Sequence, residues 1–376
     1  MDTVFNKNVV DHMKAPLFLG EAMGLARYET VKHPAIDKLT ERSLSFFWRP
    51  EEVDLSKDAI DYSRLSEQEQ YVFTQNLKYQ SLLDSVQGRA PNLVFLPIVS
   101  DVALETWITT WSFSETIHSR SYTHIMRNLY VDPSAVFDRI LLDAKIMARA
   151  TSVTQYYDDL ISELKTYDLL RQSVFSPELR VAQLTNVKEA MYLAMHAVNA
   201  LEAMRFYVSF ACTFSFGERG LMEGNAKIMR LIARDEQLHL KGTQYLIRAW
   251  QNGDDDSEMV DIARRLESKA VSIFIEVAEQ EKEWAKDLLG NVSIPGLSLA
   301  EMIDYIDYLT GSRMRSVGLP VPDEVNVPIK HPLPWIRKWL NSDSVQVAAQ
   351  EAELSSYLIG QVDPTLDADF FEELEV

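Results

Sequence analysis

Long stretches of the chain contain neither proline nor glycine, and apolar residues recur within them at steps of three and four. These stretches lie between Pro97 and Pro133, from Glu178 to Phe216, and from Asp254 to Leu289, while Asn225 to Trp250 contains only Gly242. Apolar residues at this spacing give a helix one buried face, and the stretches are far longer than ordinary strands. The pattern therefore predicts an all-α protein.

The clearest helix boundaries are predicted near the start of the chain. Ser66 can cap a helix, because Glu69 follows it by three residues, and the helix should run to about Gln87 before Gly88. The stretch from Pro91 to Pro97 is then expected to be a loop between helices.

Two later stretches are expected to lie outside helices. Residues 251–257 are rich in Asp, Asn and Gly and are typical of a surface loop, and residues 320–334 contain five prolines and predict an ordered, irregular segment. Without a Gly/Ser linker, residues 1–340 are predicted to form a single helical domain. Residues 341–376 combine acidic and apolar positions without any Lys or Arg, so we expect a flexible tail that is disordered when alone.

Composition and charge narrow the class of protein. Hydrophobic residues make up 47% and charged residues 25%, as in ordinary globular proteins. A formal net charge of −19 argues against nucleic acid or an anionic membrane as a partner. We see no signal peptide and no apolar run near the ~20 residues needed to span a bilayer. Cys212 is the only cysteine, which rules out an internal disulfide and suits a cytoplasmic protein.

Two of the seven histidines have a glutamate three residues before them. The pairs are Glu115 with His118 and Glu236 with His239. Residues at this spacing share one face of a helix, so both side chains of a pair can reach the same metal ion. Each pair lies in a long helix rich in apolar residues, where an unpaired buried charge would be costly.

An acid-bearing helix precedes each of these pairs, with Asp84 before the first and Glu202 before the second. Four carboxylates facing one core would repel one another, whereas two divalent cations would balance their charge. Oxygen-rich ligands with one histidine per metal suit iron or manganese, while structural zinc usually takes Cys and His. Surface acids with satisfied core histidines are the alternative, and the repetition of the pattern favours the metal site.

Tyr122 lies one helical turn beyond His118, on the same face. Beside a di-metal centre that activates oxygen, a one-electron oxidation of this tyrosine becomes plausible, although ordinary core packing is the alternative. Phe206, Phe210 and Ile232 share helix faces with the ligand candidates. They either line a dry pocket or fill the core.

Six segments spread along most of the chain carry a more specific signal. They are SETIHSRSYTHI (114–125), NALEAMRFYVSF (199–210), IARDEQLH (232–239), SFFWRPEE (45–52), YQSLLDS (79–85) and ELSSYL (353–358). Together they resemble the small subunit of class Ia ribonucleotide reductase.

The resemblance implies a fold, an activity and partners. It implies a homodimer with a ferritin-like four-helix bundle core, additional helices and a disordered C-terminal tail. The family stores a tyrosyl radical beside an oxo-bridged di-iron centre, with manganese the less expected metal. The oxidising equivalent passes to a cysteine of a large subunit, where ribonucleotides become deoxyribonucleotides, and the tail is expected to bind that subunit.

The resemblance also implies a role for individual residues. The ligands of one iron and then of the other would be Asp84, Glu115 and His118, and Glu202, Glu236 and His239. The radical site would be Tyr122, and the transfer route would comprise Trp48, Asp235 and Tyr357. Asp235 would also accept a hydrogen bond from His118 and fix its imidazole. The alternatives are core burial for Trp48, a structural salt bridge for Asp235 and a solvated tail residue for Tyr357.

Two other functions fit a di-iron bundle. One is an oxidase or hydroxylase acting on its own small substrate, and the other is iron storage, which would leave Tyr122 without a role. The chain has no Gly-x-Gly-x-x-Gly or Walker-type loop and no pair of cysteines, as expected of a subunit that lacks the substrate site. Residues 160–183 match no pattern, and no function is assigned to them.

Overall fold

The computed structural model describes residues 6–172, 176–290 and 294–341. Within these ranges β-pairing is limited to two isolated bridges, so the all-α prediction is confirmed. None of the described helices combines the length and apolar character that crossing a membrane requires. The helices are α1 (Pro34–Leu44), α2 (Ser56–Arg64), α3 (Glu67–Gln87), α4 (Val102–Leu129), α5 (Pro133–Asp138), α6 (Ala144–Arg171), α7 (Pro177–Ala200), α8 (Phe206–Gly217), α9 (Glu223–Asn252), α10 (Glu258–Leu289), α11 (Leu299–Ser316) and α12 (Arg337–Leu340).

Helix α3 has the N-terminus that its sequence predicts. The Ser66 side chain accepts a hydrogen bond from the Glu69 backbone, and the Glu69 carboxylate accepts one from the Ser66 backbone at 3.0 Å. This reciprocal pair satisfies two backbone groups that the first helical turn would leave without partners. The helix ends at Gln87, as predicted, and so carries Asp84 in its last turn.

The long stretch from Glu178 to Phe216 is helical throughout, but it is not one regular α-helix. Between α7 and α8 the chain forms a π-helical turn, Leu201–Arg205, and this turn carries Glu202. A π-turn contains one more residue than an α-turn, and such turns are frequent at functional sites. The faces of α7 and α8 are therefore offset from each other at the position of Glu202.

Two expected loops are shorter or more regular than predicted. The stretch from Pro91 to Pro97 is not an irregular loop, because it contains a π-helical turn, Pro91–Phe95, followed by a 3-10 turn, Leu96–Ile98. Proline is tolerated in the first turn of a helix, since the missing N–H has no helical partner there. Helix α9 extends to Asn252, so the predicted 251–257 loop begins only at Gly253, whose φ is +79°.

Four helical segments surround the candidate site: α3, α4, the α7–α8 helix with its π-turn, and α9. Helix α1 packs on α4, α6 on α7, and α10 on both α7 and α11, outside these segments. The indole ring of Trp107 on α4 lies against α9 at Gly242, where an added Cβ would clash with the ring. The described residues share one contiguous hydrophobic core. The predicted tail lies, from residue 342 onward, outside the described residues.

Candidate metal centre

The four core segments bring six carboxylate and imidazole side chains into one buried cluster. Each of these side chains belongs to a residue that is at most 1% exposed. They are the six ligand candidates that the sequence singled out, namely Asp84, Glu115, His118, Glu202, Glu236 and His239.

Two of the glutamates lie between the two histidines. His118 Nδ1 is 3.2 Å from Glu115 Oε2 and 3.2 Å from Glu236 Oε1. His239 Nδ1 is 3.1 Å from Glu115 Oε1 and 3.2 Å from Glu236 Oε2. Each of the two carboxylates thus presents one oxygen to each histidine, which is the arrangement that a bridging ligand requires.

Asp84 and Glu202 complete the two halves of the cluster. One possible ligand group comprises Asp84, His118 and the two central glutamates, and the other comprises Glu202, His239 and the same glutamates, with ligand atoms within 4.8 Å of one another. The sequence resemblance placed one central glutamate on each metal. The geometry places both Glu115 and Glu236 in both groups.

Burial and mutual repulsion perturb the acids of this cluster. Burial, followed by the charge of Glu115, raises the pKa of Asp84 well above its usual range. Burial and Glu236 do the same for the pKa of Glu202. Burial and Glu115 raise the pKa of Glu236 to about 8. The raised pKa values reflect the cost of gathering negative charge in a buried cluster, and divalent cations would offset that cost.

Glu115 and His118 behave in the opposite way. Burial alone would raise the pKa of Glu115, but the hydrogen bond with His118 and the charge of His239 lower it to about 2. Burial alone would lower the pKa of His118, but hydrogen bonds with Asp235, Glu115 and Glu236 raise it well above its usual range. Glu115 is the acid of the cluster most strongly held as a carboxylate.

Several oxygens of the cluster lack a well-aligned hydrogen-bond donor. In the described part of the chain, no group makes a well-aligned hydrogen bond to either carboxylate oxygen of Asp84 or to Oε2 of Glu202. The Tyr122 hydroxyl interacts with Asp84, and the Glu236 carboxyl interacts with Glu202. A buried polar atom left without a partner costs about 1–3 kcal/mol. Cations would satisfy these oxygens, and an oxygen-rich set with one histidine in each half fits iron or manganese.

The residues proposed for electron transfer join this cluster through His118. Asp235 Oδ2 is 3.2 Å from His118 Nε2 and accepts a hydrogen bond of 2.9 Å from Trp48 Nε1. The rings of Trp48 and His118 lie nearly parallel, with centroids 6.4 Å apart. A continuous contact therefore leads from the cluster to buried Trp48.

Tyr122 is fully buried on α4, one turn beyond His118. Its hydroxyl faces the carboxyl group of Asp84 and interacts with it, but the two groups do not form a well-aligned hydrogen bond. Burial, and then the nearby charge of Asp84, raises the pKa of Tyr122 well above its usual range. The side chain is therefore a neutral phenol in an environment from which solvent is excluded.

The remaining predicted positions divide into two groups. Phe206, Phe210 and Ile232 are all fully buried, with the first two rings stacked at 6.1 Å, as either a dry pocket or core filling would require. Tyr357 lies outside the described residues.

Two polar contacts to the ligand candidates were not predicted. Trp111 Nε1 donates to Glu115 Oε1 at 2.9 Å, and Gln87 Nε2 donates to Glu202 Oε1 at 2.8 Å. The spacing of both residues from ligand candidates in the sequence could have predicted these contacts. Trp111 precedes Glu115 by four residues and Gln87 follows Asp84 by three, so each shares a helix face with a ligand candidate.

Comparisons with known proteins agree in one family. Residues 26–322 match the family described as ribonucleotide reductase, small chain. The chain is 54% identical to the ribonucleoside-diphosphate reductase subunit beta of Enterobacteria phage T4, with 98% of this chain and 97% of the relative covered. It is 50% identical to the subunit beta of Haemophilus influenzae, covering 100% and 99% of the two chains.

Solved structures share the fold at much lower identity. The R2 subunit of ribonucleotide reductase from Clostridium botulinum superimposes with a TM-score of 0.74 at 22% identity, covering 90% of this chain and 98% of that one. The dimanganese(II) form of NrdF from Streptococcus sanguinis superimposes with a TM-score of 0.65 at 18% identity, covering 85% and 99%.

Proposed function

Because the chain belongs to the ribonucleotide reductase small-chain family, we propose that its buried carboxylate–histidine cluster is a di-iron centre that oxidises Tyr122. The chain is the radical-generating beta subunit of a ribonucleoside-diphosphate reductase and serves deoxyribonucleotide synthesis. The observation that supports the site assignment is the placement of Glu115 and Glu236 between both histidines, beside a buried tyrosine that faces Asp84.

The proposed ligands of the two irons are the six residues of the cluster. One iron would be held by Asp84 and His118, the other by Glu202 and His239, and both by Glu115 and Glu236. Carboxylate oxygens also suit manganese, and the Streptococcus sanguinis relative contains that metal. Metal analysis of the purified protein decides between them, and a manganese-loaded protein without iron would overturn the iron assignment.

The residues around Tyr122 control how it is oxidised. Together with oxygen, the bound irons would supply the oxidising power that removes one electron from the phenol, which then also loses its proton. Until that step the raised pKa keeps the hydroxyl protonated. Full burial of the ring then keeps water and small reductants away from the radical.

Trp48 and Asp235 are proposed to connect this site with the large subunit. Asp235 fixes the imidazole of His118 through one carboxylate oxygen and receives the indole N–H of Trp48 on the same oxygen. An electron can move along these contacts while the carboxylate holds the donor groups in place. Tyr357 is proposed to continue the route on the tail.

The partner of the chain is the reductase large subunit, and we propose that the acidic tail, residues 341–376, forms the contact.

We also propose that the chain forms a homodimer in the cytoplasm, with the outer face of α1 and α4 as the interface between the two copies. Phe47, three residues after the end of α1, and Phe113 on α4 are 43% and 50% exposed and stack on each other at 6.1 Å. Sedimentation of Phe113→Lys as a monomer would support this interface, and an unchanged dimer would exclude it.

The function is tested by electron paramagnetic resonance after addition of Fe(II) and oxygen to the metal-free protein. Wild-type protein should show a tyrosyl radical, and Tyr122→Phe should bind iron normally but show neither the radical nor reductase activity. The substitution removes only the hydroxyl and nearly preserves the packing volume. A stable tyrosyl signal in Tyr122→Phe would place the radical elsewhere.

A matched control separates this function from that of an independent oxidase. Tyr207 is buried on α8 at 3% exposure, so Tyr207→Phe removes a similarly placed hydroxyl. It should keep the radical. Ribonucleotide reduction should require the large subunit, and turnover without it would favour the oxidase.

A further inference from the structure

Helix α6, which packs outside the core segments, sends one polar side chain toward the metal cluster. Tyr157 donates its hydroxyl to Gln87 Oε1 at 2.8 Å, and Gln87 Nε2 donates to Glu202 Oε1 at 2.8 Å. The two donors and the acceptor come from α6, α3 and the π-turn. Tyr157 is 3% exposed and the other two residues are fully buried, so water does not compete for these bonds.

The chemistry of the three side chains decides which group donates and which accepts in these two hydrogen bonds. A glutamine amide has one accepting oxygen and one donating nitrogen, and a tyrosine hydroxyl that donates to the oxygen leaves the nitrogen facing the other way. Burial, and then the charge of Glu202, raises the pKa of Tyr157 well above its usual range, so the hydroxyl keeps its proton. The amide nitrogen of Gln87 is thereby directed at Glu202.

The bond from Gln87 distinguishes the two oxygens of Glu202. Oε1 is held by the amide, whereas Oε2 lies on the side of the cluster, 3.9 Å from His239 Nδ1. The equivalent acid of the other half, Asp84, has no amide donor among the described residues, and the hydroxyl that interacts with it belongs to Tyr122. The two halves of the cluster therefore differ in the group that faces their outer carboxylate.

We propose that Tyr157 and Gln87 are positioning residues that hold Glu202 with Oε2 turned toward the metal of the His239 half. The proposal rests on the ligand role proposed for Glu202. A neutral amide donor also leaves the negative charge of the carboxylate in place, which a cationic donor would offset. Hydrogen-bond partners of metal ligands typically contribute 10–100-fold to metal affinity.

The test measures metal binding without turnover. Metal-free protein is titrated with Mn(II) in the absence of oxygen, and the paramagnetic resonance signal of free Mn(II) gives the number and affinity of sites. Wild type should bind two ions per chain. Tyr157→Phe and Gln87→Met should each weaken one site about 10–100-fold and leave the other unchanged.

Tyr156, the residue next to Tyr157, supplies a matched control. Tyr156 is only half-buried and its hydroxyl is not part of the hydrogen bonds from Tyr157 through Gln87 to Glu202, so Tyr156→Phe should bind two ions with wild-type affinity.

A double-mutant cycle tests whether Tyr157 acts through Gln87. If it does, the Tyr157→Phe, Gln87→Met double variant should bind metal no more weakly than Gln87→Met alone. Additive losses would show that the two residues act separately and would overturn the proposal.

Two further outcomes separate this proposal from the one on which it rests. Loss of one ion in Glu202→Ala, with unchanged affinity in Tyr157→Phe and Gln87→Met, overturns the positioning role alone. Two ions retained in Glu202→Ala overturn the ligand assignment itself. Equal weakening of both sites, accompanied by a lower melting temperature, would show a general loosening of the bundle and would also overturn the positioning role.

Discussion

His196 shows how costly a single buried group can be in this protein. It is fully buried, and neither ring nitrogen has a hydrogen-bond partner among the described residues. The rings of Tyr192 and Phe274 meet it edge-on, with centroids at 4.6 Å and 6.2 Å. Burial in these apolar surroundings lowers the pKa of His196 to about 3.

This depressed pKa predicts a pH-dependent stability. Below pH 6.5 His196 is protonated in the unfolded chain, whereas in the folded chain it stays neutral down to about pH 3. Lowering the pH through this range therefore lowers the free energy of unfolding. Between pH 7.5 and pH 5.5 the metal-free wild type should lose about 1.4 kcal/mol more unfolding free energy than His196→Leu. Urea unfolding of both proteins at the two pH values measures this, and parallel losses would contradict it.

At the scale of residues, the sequence predicts those contacts that leave a local trace. Glu115 and His118 are three residues apart and so share a helix face, which allowed the sequence to single them out as candidate ligands that the structure then brings together. The bond from Tyr157 to Gln87 joins residues 70 positions apart. The spacing of residues along the sequence does not predict such a contact, because it depends on how α6 packs against α3.

At the scale of elements, helices are predicted well where their ends carry proline, glycine or a capping residue. The capping box of α3 and the extent of α10 illustrate this. The π-turns at Pro91–Phe95 and Leu201–Arg205 were not predicted, because apolar residues suit an i→i+5 turn as well as an α-turn. Tertiary packing, rather than propensity, decides between the two.

Gly242 provides a test of packing between elements. An alanine inside a helix is ordinarily better than glycine by about 1 kcal/mol. At this position its Cβ would clash with the indole ring of Trp107, so Gly242→Ala should instead destabilise the fold by about 1–3 kcal/mol. Chemical denaturation measures the change. In a Trp107→Leu background the same substitution should cost little, and a stabilised Gly242→Ala in wild type would contradict the close approach.

At the scale of the whole molecule, the described chain ends against the helix that carries Asp235. Gln237 Nε2 donates to the backbone oxygen of Leu340 at 2.6 Å, and Trp339 stacks on Phe214 at 5.1 Å. The segment that leads into the tail therefore contacts α9 only two residues after Asp235. Between Asn341 and Tyr357 a fully extended chain could span at most roughly 55 Å.

Truncation after Gln350 tests the role assigned to the tail. The proposed metal ligands and Tyr122 all lie in the helical bundle, so we expect the truncated protein to keep its irons and its radical. We expect it to lose binding to the large subunit and ribonucleotide reduction, because the apolar and acidic positions of the tail are proposed to supply the contact. Affinity for the large subunit can be measured by titration. Undiminished binding would show that the bundle itself holds the partner.

The near-complete burial of the proposed ligands also bears on how metal ions would enter and leave. With each ligand residue at most 1% exposed, an ion cannot reach the carboxylates unless some part of the surrounding helices opens first. Openings of this kind occur at a rate set by local stability and not by the ion. Metal uptake should then speed up with concentration only until opening becomes rate-limiting, so the mobility of the bundle governs how quickly a newly folded chain is activated.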